Sequence, residues 1–70
     1  MFLQKNMIYF KEKKGFTPYK LKQLGVPLTT TQQIIDGTTE DPRLSILLKL
    51  IKIYDISLDD LIFKDLSLGS

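Results

Sequence analysis

The run DPRLSILLKLIKIYDISLDDLI, residues 41–62, decides how this chain folds. It opens on Asp41, an acid that can cap a helix, and on Pro42, whose fixed φ and missing N–H suit a first helical position. Leu44, Leu47, Leu48, Ile51 and Tyr54 then recur at spacings of three and four, one stripe of a helix. Ile46, Leu50 and Ile53 make a second stripe. The pattern predicts a helix over 42–54, buried on much of its circumference, as the central beam of the domain. Ser57 caps the next helix, Asp59 and Asp60 suit the positive end of its dipole, and Ile56 with Leu61 form a hydrophobic staple. That helix is predicted over 58–66.

Upstream, the same punctuation marks three more helices. GVPLTTTQQIIDG, residues 25–37, reads as a helix over 28–36 closed by Gly37. Its start is open to two readings: Thr29 and Gln32 have capping-box spacing, while Pro27-Leu28 permits a start one turn earlier. In GFTPYKLKQLG, Thr17 caps, Pro18 takes the first helical position, and Phe16 with Leu21 staple a helix over 18–24. Leu3, Met7 and Phe10 share one face of a helix over 2–14 that stops at Gly15. The fold class is therefore all-α, a five-helix domain of 70 residues with its core in 7–62 and a tail, 67–70, expected to fray.

What the chain lacks narrows its chemistry. It has no cysteine and no histidine, which removes disulfides, thiolate or imidazole metal sites, Cys–His pairs and Ser–His–Asp triads. Asp59 and Asp60 point about 100° apart on a helix and do not form an acid–base pair. There is no phosphate-binding glycine loop, so the expectation is a protein that is not an enzyme and carries no cofactor and no metal. The most apolar stretch, residues 44–53, holds Lys49 and Lys52 and is too short to span a bilayer, and a cytoplasmic location is expected. Net charge is only +2, but it is unevenly placed. Residues 1–22 carry six lysines against the single acid Glu12, whereas residues 23–70 carry four cations against seven acids. Such a basic front can present one face to a polyanion.

Two short helices joined by LGVP, the second exposing polar side chains, have the layout of a helix-turn-helix. The chain here resembles the Cro/Xre-type helix-turn-helix family of phage and bacterial repressors. FKEKKGFT at 10–17 is similar to the family's first helix and its turn into the second, and LGV at 24–26 followed by Ile34 and Gly37 has the spacing of its turn and recognition helix. Residues 41–62 are similar to its fourth and fifth helices. The chain departs from the family within helix two, where Lys20-Leu21-Lys22 stand in place of an apolar residue followed by a small one, and at Asp55, where the family often has glycine.

The resemblance implies a small sequence-specific transcriptional regulator, repressor-like, that binds double-stranded DNA. Its base-reading positions fall on Pro27, Leu28, Thr29, Thr30, Gln32 and Gln33. Glutamine can bond adenine N6 and N7, and threonine or leucine methyls can meet a thymine methyl, which points to an A·T-rich major-groove half-site. Phosphate contacts fall to Lys11, Lys13, Lys14, Lys20 and Lys22, with Tyr19 beside them, because no cation stands between Lys22 and Arg43. Thr31, Ile34 and Ile35 have the spacing of core positions. Ile62, Phe63, Leu66 and Leu68 continue an apolar stripe and are the candidate homodimer surface. The competing expectation is the same fold turned to a protein partner, as an anti-repressor, antitoxin-like or inhibitor protein. Its grounds are the irregular second helix and the cation-free third.

Overall fold

Leu3, Met7 and Phe10 stand i, i+4 and i+7 apart, so a helix brings them into one line, and around that line the rest of the molecule packs. The computed structural model describes residues 1–39 and 41–69. In chain order the helices are α1 Leu3–Lys14, α2 Pro18–Gln23, α3 Leu28–Asp36, α4 Leu44–Tyr54, α5 Leu58–Phe63 and α6 Leu66–Gly69. There is no strand among the described residues. The core is Leu3, Met7, Phe10, Leu21, Val26, Ile34, Leu50, Tyr54 and Leu61. Fully burying each large side chain is worth about 1.5–3 kcal/mol relative to exposing it, which compensates for the lack of any disulfide.

Several caps form as their residue types require. The Thr17 hydroxyl accepts the Lys20 N–H at 3.2 Å, with Pro18 opening α2, and the Ser57 hydroxyl accepts the Asp60 N–H at 3.1 Å. Asp55 ends α4 in the left-handed region, at φ 58° and ψ 50°. Aspartate bears that conformation better than most side chains, so a glycine is dispensable there.

Three expectations are corrected. The fifth predicted helix, 58–66, is two. Lys64 is extended, at φ −116° and ψ 135°, and breaks it into α5 and the single turn α6, which also takes in residues expected to fray. The cause is Asn6, fully buried on α1. Its amide N–H groups donate to the carbonyls of Leu61 and Lys64, each at 2.7 Å, and its Oδ1 accepts the Leu66 N–H at 2.9 Å. One side chain thus satisfies the orphan carbonyls ending α5 and an orphan N–H opening α6, which makes the interruption cheap. Outside the buried joint, Asp65 accepts the Ser67 N–H and pairs with Lys5 at 2.8 Å.

The second correction concerns the start of α4. Arg43 is extended, and its carbonyl, not that of Asp41, receives the first helical bonds, from Ile46 and Leu47. Asp41 lies too early to cap, and Pro42 stays half-buried in the loop.

The third concerns the centre of the domain. α1, which packs on α3, α5 and α6, is the central helix, and α4 lies to one side against α5. Only Leu50 and Tyr54 of α4 are buried, while Leu44 and Leu48 are 60 % and 44 % exposed. So small a chain has too few elements to cover two helices on every side. A stacked pair, Phe10 on Tyr54 with ring centroids 4.1 Å apart, joins α1 to α4, and Phe16 meets both rings edge-on. The Tyr54 hydroxyl is buried without a hydrogen-bond partner among the described residues, and that burial pushes its pKa well above the ordinary phenol value.

Candidate nucleic-acid interface

α2 and α3 are joined by Leu24–Pro27, and the turn needs a residue that bears a positive φ: Gly25 sits at φ 105°. The turn closes on itself, with the Val26 N–H donating to the Leu21 carbonyl at 2.9 Å and the Val26 side chain buried. Of the two starts open to α3, the earlier one is taken. Pro27 is the N-cap residue, and no side chain caps the helix, so the Thr29–Gln32 capping box is not formed.

The nine residues of α3 divide cleanly between two faces. Thr31 and Ile34 are buried, and the Thr31 hydroxyl donates to the Pro27 carbonyl one turn back at 3.1 Å, so its polarity is absorbed within the helix. Leu28 and Ile35 are half-buried on the flank of this inner face. Thr29, Gln32, Gln33 and Asp36 are exposed and, at i, i+3, i+4 and i+7, form one outward stripe. Neither glutamine side chain makes a hydrogen bond among the described residues, so both present donors and acceptors to a ligand. Of the candidate base-reading residues, then, Thr29, Gln32 and Gln33 share the outer face. Thr30 stands half-buried to one side, Leu28 to the other, and Pro27 is exposed at the helix entry.

The candidate phosphate ligands lie on the two helices that pack against α3. Lys11, Lys13 and Lys14 occupy the last turns of α1, Lys20 and Lys22 lie on α2, and all five are exposed. None makes an ion pair among the described residues. Tyr19 is 68 % exposed, so its hydroxyl is presented to solvent and not to the core.

Two further cations reach this region from α4 and its entry, and sequence order concealed them. Arg43 lines a hollow together with Pro27, Thr30 and Gln33. Lys49 extends its ammonium to the Gly25 carbonyl, 3.1 Å away, in the turn between α2 and α3. The third helix is without cations along the chain but not in space. The only hint in sequence was a lysine inside an apolar helix, which must carry its charge to some polar group.

The candidate dimer residues are not brought together as one patch. Ile62 and Leu66 pack against the core of their own chain, and the Ile62 carbonyl accepts the Phe2 N–H at 2.8 Å. Phe63 and Leu68 stand out at 73 % and 77 % exposed. Closing a small core takes precedence for the inner half of the stripe.

Among the described residues there is no group of three His, Cys, Asp or Glu side chains able to hold a metal. No described helix is long and apolar enough to cross a membrane. Comparison of the chain with protein-family models, with curated proteins and with solved structures found no match.

Proposed function

We propose that α2, its turn and α3 act as a helix-turn-helix of the Cro/Xre type, and that the chain is a small DNA-binding regulator with repressor-like action. The observation that carries this reading is the division of α3: Thr31 and Ile34 are buried and anchor it, while Gln32 and Gln33 stand exposed on its outer face. Side chains so placed can meet base edges in a major groove, glutamine on adenine and the Thr29 methyl on thymine. The five exposed lysines of α1 and α2 supply phosphate contacts that set register without reading sequence. Arg43, beside Thr30 and Gln33, adds one on the far side of α3. With three or four phosphates engaged per protomer, log affinity falls with log salt at a slope of about −3 to −4.

Binding to a randomised duplex library, followed by the same selection with Gln32→Ala and Gln33→Ala, tests the reading. Wild type is expected to select an A·T-rich half-site, and each variant to lose preference at one position. A wild type with a preferred site that neither variant alters would remove the glutamines as readers.

The exposed Leu44 and Leu48 favour a second reading, in which the domain engages a protein. Absence of duplex binding even at low salt would favour it, because contacts to phosphate strengthen as salt falls.

A further inference from the structure

We propose that Lys49 and Gln4 are positioning residues that brace the two ends of α3 and so set how its outer face meets DNA. The inference rests on the DNA-binding reading above. Each makes one long-range bond from a side chain to a backbone carbonyl. At the entry, the Lys49 ammonium donates to the Gly25 carbonyl at 3.1 Å, across 24 residues. At the exit, the Gln4 amide donates to the Ile35 carbonyl at 2.8 Å, across 31 residues.

Both acceptors are groups that the local backbone leaves over. Gly25 follows α2, where the partial negative charge of that helix collects, so a cation there is favoured twice, as donor and as charge. Ile35 lies in the last turn of α3, whose carbonyls have no successors within the helix. Its neighbour Gly37 is left-handed at φ 78°, and a Cβ there would come within 3.1 Å of the Gln4 nitrogen. The chain therefore keeps open the space that Gln4 uses. Between the two braces α3 is held by its buried Thr31 and Ile34 and by packing on α1 and α2. Such packing fixes which face turns inward. The braces fix the tilt, because they act at the ends, where a small rotation moves the helix most.

The test is Lys49→Met and Gln4→Met, which keep a chain of similar length and remove the donor. Lys49→Arg restores both charge and donor. Both side chains are exposed, so the variants retain the wild-type helical circular dichroism. Each methionine variant should weaken binding to the preferred duplex about two- to tenfold and broaden base preference, as loss of one hydrogen bond implies. Lys49→Arg should recover most of the affinity.

Salt dependence separates positioning from contact. A brace leaves the slope of log affinity against log salt unchanged, whereas a lost phosphate contact reduces its size by about 0.9. A reduced slope in Lys49→Met, or unchanged affinity and preference in both methionine variants, would overturn the assignment. Amide hydrogen exchange reads the braces without DNA. Exchange should quicken at Gly25, Val26 and Thr31 in Lys49→Met and at Ile35–Thr38 in Gln4→Met, and unchanged protection would also count against them. If wild type binds no duplex, the DNA-binding reading fails and this role with it, while the exchange result still shows whether the bonds brace the helix.

Discussion

The joint where α1 receives α5 and α6 and the face where α3 meets solvent solve opposite problems with the same kind of group, a side-chain amide. In the joint, Asn6 is fully buried and both ends of its amide are bonded, to Leu61, Lys64 and Leu66. On the face, Gln32 and Gln33 are exposed and, among the described residues, without a hydrogen-bond partner. A buried amide without partners would cost more than the helices could return, so its geometry is fully specified. An exposed amide costs little to leave unpaired and remains available to a ligand. One region of this molecule is determined by stability, and the other is under no such constraint.

The sharpest way to break that contrast is Asn6→Ala. Two carbonyls and one N–H lose their partner at once, and destabilisation of about 3–5 kcal/mol is expected in urea unfolding. That is a large share of the stability of so small a domain. Leu61→Ala, in the same joint, should cost about 3 kcal/mol through lost burial and the cavity it leaves.

Tyr54→Phe probes the seam between α1 and α4 and carries the opposite sign. It removes a buried hydroxyl without a partner and keeps the ring stacked on Phe10, so stability should rise by about 1 kcal/mol.

The rim of the joint should answer to pH. The Lys5 ammonium, and after it the Ser67 hydroxyl, hold the Asp65 carboxyl below the usual carboxylate range. A carboxyl whose folded pKa lies below its unfolded value stabilises the fold above the unfolded pKa, and the benefit is lost as pH falls through the folded one. The stability gap between wild type and Asp65→Asn, measured from about pH 7 to about pH 2, should therefore narrow toward the acid end. Smallest of all, Gln32→Ala and Gln33→Ala should each change stability by about 0.5 kcal/mol or less. A larger loss would show that the face is structural after all.

How much was legible follows the range of the interaction. Thr17, Ser57, Pro18 and Gly37 act within a turn of their own position, so their caps and helix ends could be read along the chain. The outward Gln32 and Gln33 and the inward Thr31 and Ile34 were likewise legible, because helical period alone assigns them to faces. Asn6 was not, since nothing near it in sequence shows that its partners lie more than fifty residues away. The same blindness made α3 look free of cations, although Arg43 lies beside it. It also made the strongly apolar α4 look central, because hydrophobicity ranks helices by what they would bury and not by what is there to cover them.

The sequence by itself determined an all-helical chain, most of its helix ends, the inner and outer faces of α3 and the exclusion of thiol and imidazole chemistry. Only the tertiary structure decided that α1 is the centre, that the last helix breaks at Lys64 and that Lys49 and Gln4 reach the ends of α3. The physical reason is one of accounting for polar groups. Local rules say where a helix leaves carbonyls and N–H groups unpaired, but which distant side chain comes to satisfy them is settled only when the helices pack.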